Sequence, residues 1–102
     1  MGENKIGYSM SLNNYINYKN DKRVLQEIDS IGATASWANS LLITRGKKAI
    51  YCQPSGIVLN QYNYVRILDE YLAKRPDLVA DAAVLHLNMV VLFALEEKFP
   101  CN

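Results

Sequence analysis

The sequence predicts an all-α fold, a small bundle of about four helices whose last two form a hairpin bracketed by cysteines. Three observations predict it. Apolar residues recur at three- and four-residue steps through most of the chain. Capping residues and a proline stand where those stretches should begin and end. The only two cysteines, Cys52 and Cys101, flank the most regular half. With 102 residues, half of them hydrophobic and 21% charged, the chain is expected to form one helical domain, 1–102, around a small core.

Met1 to Gly7 are polar and expected to fray. Leu12, Tyr15 and Ile16 then fit one face of a short helix, although Asn13, Asn14 and Asn17 are poor helix-interior residues. Asn20-Asp21 reads as an N-cap. Beyond it Val24, Ile28, Ile31, Ala35, Ala38 and Leu42 trace the seam of a long amphipathic helix, with Leu25, Trp37 and Leu41 widening the stripe. Gly32 lies inside this helix, either at a close crossing or at a break. Gly46 suits the left-handed position that ends it, beside the basic residues Arg45, Lys47 and Lys48. Ala49-Ile50-Tyr51 is a short apolar strip, and Gln53-Pro54-Ser55-Gly56 is a turn.

The hairpin follows. Asn60 caps a helix reaching about Lys74, with Tyr64, Ile67, Leu68, Tyr71 and Leu72 on its apolar face and Val65 beside them. Pro76 biases Arg75 away from helix, so Lys74-Arg75-Pro76-Asp77 is the connector. Asp77 or Asp81 is expected to cap the last helix, which runs to Lys98. From Ala82 to Leu95 it is apolar nearly all round and must be covered on more than one side. One side would face the core. The other would face a second protomer, giving a homodimer, unless the helix is the centre of a tight monomeric bundle.

The cysteine pair has two readings. Cys52 and Cys101 are either buried thiols, as free cysteines commonly are, or a disulfide that closes the hairpin. The even count and the neighbouring Pro54 and Pro100 favour the disulfide in an oxidising compartment.

Chemistry of other kinds finds little footing. The net charge is +1 with no evident basic patch, which argues against nucleic acid. The apolar run from Ala82 to Leu95 is too short and too polar to span a bilayer. Two cysteines and the single His86 do not make a metal site, and no glycine-rich phosphate-binding loop is present, so no cofactor is expected. His86 is read as a structural residue on an apolar helix face with Ala82, Ala83, Met89 and Val90. A Cys52–His86 nucleophile pair would need a free thiol and an orienting group. Seven tyrosines, a type enriched at interfaces, point to a binding module rather than an enzyme.

One pattern is more specific. Tyr51-Cys52-x-Pro54, a helix from Asn60-Gln61 to Tyr71-Leu72, Arg75-Pro76-Asp77-Leu78, and an apolar helix ending Leu95-x-x-x-Phe99-Pro100-Cys101 occur in that order. Trp37 and Ser40 precede them on a helix. This arrangement resembles the Rap/Tai family, the immunity proteins of bacterial type VI secretion systems. The resemblance covers the C-terminal half well and the N-terminal half only through Trp37 and Ser40.

The resemblance implies a small helical protein, usually dimeric, that binds a cognate peptidoglycan amidase effector and silences it by occluding the active-site cleft. It also implies export to the periplasm. Met1-Gly2-Glu3-Asn4-Lys5 has no apolar leader region, so a periplasmic home requires a leader removed from this chain. Family members often carry a further cysteine before the Cys-x-Pro turn, and this chain has none there. Two connectors are the candidate contact loops: Thr44 to Lys48, with Arg45, Lys47 and Lys48, and Lys74 to Asp77, with Lys74, Arg75 and Asp77. The alternative is a non-catalytic helical adaptor in the cytosol with both thiols reduced, and a third reading is a small cysteine enzyme.

Overall fold

The computed structural model describes residues 10–101, so the polar stretch from Met1 to Gly7, and Tyr8 after it, lie outside the described residues. The fold is all-α. Helices α1 (Leu12–Tyr18), α2 (Lys22–Thr44), α3 (Gln61–Ala73), α4 (Pro76–Ala80) and α5 (Leu87–Lys98) follow in order. The core sits where α2, α3 and α5 meet, and α1 closes one side of it.

Local chemistry sets most boundaries. The Ser11 hydroxyl accepts the Asn14 amide and starts α1. Asp21 caps α2 by accepting the Arg23 amide at 2.8 Å. Gly46 takes φ 71° and lets the amides of Arg45, Gly46 and Lys47 close back on the last carbonyls of α2. Asn60 and Asn63 form a reciprocal capping box at the start of α3. Gly56, at φ 83°, makes the turn after Pro54. Pro76 opens α4 at a position where a missing amide costs nothing.

The predicted apolar face of α3 is the observed one: Tyr64, Ile67, Leu68, Tyr71 and Leu72 are all buried. The seam of α2 holds at Val24, Ile28 and Ala35 and then departs. Asn39 is buried in place of Ala38, which is exposed. The reason is that the Asn39 carboxamide bonds the chain after α2, and this turns the helix to present it. Trp37 and Leu41 do not widen the stripe; Trp37 is 78% exposed. Trp37 lies two residues from both Ala35 and Asn39, about 200° around the helix from each, so it stands opposite the core.

Gly32 marks a close crossing, not a break. A Cβ at this position would run into the ring of Tyr64, which is itself buried. Gly32→Ala gains about 1 kcal/mol of helix propensity but must displace a buried aromatic ring. Overpacking of that kind costs about 2 kcal/mol or more. The substitution is therefore expected to destabilise, read as a lower urea midpoint at unchanged m-value, and Tyr64→Leu in the same chain should recover part of the loss.

The last helix is not continuous from Asp77 or Asp81. Asp77 lies in the first turn of α4, whose N-cap is Arg75, and Asp81 follows its last turn. Residues 81–86 form turns, and α5 starts at Leu87 after His86, which is extended at φ −82°, ψ 133°. Tertiary hydrogen bonds outcompete the helix here. Leu12 and Asn13 donate their amides to Leu85 and Ala82, Leu87 donates to Met10, and Ser11 pairs with His86 as an isolated antiparallel bridge. The orphan amides of α1 are thus satisfied by carbonyls that a longer α5 would have kept for itself. α5 buries Leu87, Val90, Val91, Ala94 and Leu95 on one face. Met89 and Phe93 remain 49% and 40% exposed on the other.

Burial favours the protonated form of three tyrosines. Burial, then the hydrogen bond its hydroxyl donates to Asp69 at 2.7 Å, pushes Tyr15 far above the ordinary tyrosine value. Burial also raises Tyr51 and Tyr64. In the unfolded chain all three ionise near pH 10, so they favour folding fully below that pH and progressively less above it. Stability to urea is expected to fall as pH rises past about 10, and Tyr15→Phe should flatten that fall.

Candidate binding site

The two cysteines come together at the C-terminal end of α5. Cys52 and Cys101 form a disulfide with 2.00 Å between the sulfurs and 5.0 Å between the Cα atoms. Beside it the Cys52 amide donates to the Phe99 carbonyl at 2.7 Å. Tyr51, next in the chain, is buried with 2% exposure and anchors the strip to the core.

Asn39 holds the same strip from the other side. Its Nδ2 donates to the Tyr51 carbonyl at 2.7 Å, and its Oδ1 accepts the amides of Ile50 at 2.6 Å and Tyr51 at 3.4 Å. One carboxamide thereby replaces the strand partner that residues 50–51 lack. Nothing in the apolar periodicity marked Asn39. The available signal was its phase, seven residues after Gly32 and four after Ala35 on the crossing face.

The two predicted contact loops differ in how their charges are engaged. Arg45 follows α2, and Arg45, Lys47 and Lys48 are exposed and make no ion pair among the described residues. In the second loop Arg75 forms a fork with Asp77, Nε to Oδ1 at 3.1 Å and Nη2 to Oδ2 at 2.9 Å. Its third donor reaches the Tyr71 hydroxyl at 2.9 Å, and the guanidinium lies 5.7 Å from the Tyr71 ring centre. The fork holds the Asp77 carboxyl below its usual value and Arg75 above its own. Lys74 pairs with Glu97 of α5, whose hydrogen bond raises the lysine. These residues therefore lie in two separate places: Arg45, Lys47 and Lys48 after α2, and Lys74 and Arg75 between α3 and α4 with Asp77 in the first turn of α4.

His86 is exposed at the start of α5, not set on an apolar helix face. With its sulfur bonded to Cys101, Cys52 has no thiol to act as a nucleophile. Periodicity also missed the exposed apolar cleft between α2 and residues 53–59. Trp37, Ile57, Val58 and Leu59 line it over the buried Tyr64, with Asp29 the one carboxylate among its lining residues.

Comparison with protein-family models, curated proteins and solved structures gives no match.

Proposed function

We propose that this chain is a non-catalytic inhibitory binding protein of the Rap/Tai kind, which occludes the cleft of a peptidoglycan amidase effector in the periplasm. The observation that carries the reading is the clamp. The Cys-x-Pro turn and the Phe-Pro-Cys end, which define the resemblance, are joined by the Cys52–Cys101 bond and the Cys52–Phe99 hydrogen bond into one unit. A disulfide between two exposed cysteines fits an oxidising compartment better than a reducing cytosol. Among the described residues, no helix is long and apolar enough to cross a membrane.

Occlusion needs loops whose order is settled before the partner arrives. Arg75 meets that condition through its bonds to Asp77 and Tyr71. Arg45, Lys47 and Lys48 offer charge with no ion-pair partner among the described residues to exchange. A homodimer closing over Met89 and Phe93 of α5 belongs to the same reading, and sedimentation of the purified chain tests that part.

The main experiment is calorimetric titration of the oxidised chain into papain-like peptidoglycan amidase effectors of type VI secretion systems. Tight binding with loss of hydrolysis is expected. Replacing Arg75 and Asp77 with alanine should weaken binding about tenfold or more with the melting temperature little changed. Full amidase activity in the presence of excess chain would remove the proposal. Unchanged affinity in the double variant would remove that loop from it.

A further inference from the structure

The outward pole of α2 carries apolar surface that the bundle leaves open. Trp37 is 78% exposed and Leu41, one turn on, 49%. Across a cleft of about 310 Å³ stand Ile57 and Val58, the latter 89% exposed on the loop after Gly56. An exposed tryptophan beside exposed aliphatic side chains is the composition of a binding hot spot rather than of ordinary solvated surface.

Asp29 stands in the cleft lining, but past Trp37, toward the C-terminal end of α2, the charge is one-sided. No Asp or Glu occurs between Asp29 and Asp69, while Arg45, Lys47, Lys48 and Arg66 all do. Arg45 follows Trp37 by eight residues, about 12 Å along the helix, and Lys47 and Lys48 follow in the exposed turn. The balancing carboxylates Glu70, Asp77, Glu96 and Glu97 belong to α3, α4 and α5. This segment therefore offers an apolar cleft with a cationic end, although the whole chain is nearly neutral.

We propose that this face docks an acidic segment of another protein, with one bulky apolar side chain seated between Trp37 and Val58 and flanking carboxylates paired with Arg45, Lys47 and Lys48. A protein fits better than a nucleic acid or a membrane. Leu41, Ile57 and Val58 provide aliphatic contact rather than stacking platforms. The apolar surface is also concave, whereas a bilayer takes a protruding ridge. The inference names the chemistry of the partner's surface and does not depend on that partner being an amidase.

Trp37 is the sole tryptophan, so its fluorescence reports on this face alone. The experiment is selection of a random-peptide display library on the oxidised chain, followed by fluorescence titration of the enriched peptides. Enriched peptides should place Asp or Glu around one large apolar residue. They should shift Trp37 emission to the blue, and their affinity should fall as salt rises. Lys47→Glu with Lys48→Glu should weaken them about tenfold or more, and Trp37→Phe, followed by calorimetry, should weaken them too. These side chains are exposed, and circular-dichroism melting of each variant confirms the fold.

The proposal is overturned if no peptides are enriched, if those enriched are basic or neutral, or if binding ignores both variants. It is also overturned if a single-stranded oligonucleotide or phosphatidylglycerol vesicles shift the emission while acidic peptides do not. A chain that binds such peptides but leaves the amidase active keeps this inference and loses the function proposed above. The reverse result loses only this one.

Discussion

Replacing both cysteines, Cys52→Ser with Cys101→Ser, should remove about 4 kcal/mol of folding free energy. The bond joins residues 49 apart, so cutting it releases a long loop in the unfolded chain. Both cysteines are exposed, so the substitution leaves no cavity and adds no packing cost. The loss should therefore come from chain connectivity. A domain of this size has about 5–15 kcal/mol in all, so the variant is expected to sit near the edge of stability. Thermal unfolding of the oxidised and doubly substituted chains should differ by about 16–32 °C. A difference of only a few degrees would mean that Asn39 and the Cys52–Phe99 hydrogen bond hold the strip unaided.

The second large effect is expected at Asn39. Asn39→Ala strands the Tyr51 carbonyl and the amides of Ile50 and Tyr51, which lie in or beside the core. An unsatisfied buried polar group costs about 1–3 kcal/mol, and Ile50 is only half-buried, so water can recover part of it. A net loss of about 3 kcal/mol follows. Asn39→Asp separates the contributions. It keeps an acceptor for both amides but turns an anion against the Tyr51 carbonyl, in a site too buried to solvate it. It should be at least as damaging at neutral pH, and should recover as the carboxyl is protonated in acid. Hydrogen exchange at the Ile50 amide reads the lost bond directly. Protection unchanged in Asn39→Ala would show that the strip has another anchor.

These two sites illustrate what the sequence disclosed. The cysteine pairing was favoured from number and placement because both residues lie outside helices and near prolines. The face of α3 was readable because five large apolar residues fall on one phase and nothing competes with them. The seam of α2 was readable only as far as Ala35. After it the packing is decided by a polar bond from Asn39, to which a pattern of hydrophobicity is blind. The same blindness put Trp37 in the core, since a large aromatic residue counts as apolar wherever it points. The break before α5 was hidden for a related reason. Residues 81–86 have ordinary helix-forming character, and only their pairing with the start of α1, about seventy residues upstream, ends the helix. The turn after α2 was readable from Gly46, but the expected connector Lys74 to Asp77 runs into α4 at Pro76, and the Arg75–Asp77–Tyr71 arrangement depends on rotamers that no spacing rule encodes.

The pairing of Ser11 with His86 has a consequence for timing. A ribosome delivers α1 and its neighbour α2 long before the carbonyls that take the first α1 amides, so that pairing stays open while residues 45–80 are being made. Closure of so distant a contact must await the emergence of residues 82–87, and contacts of long sequence separation slow folding. This domain should therefore stay open and protease-sensitive until those residues have left the ribosome, and then fold in a single late step rather than helix by helix.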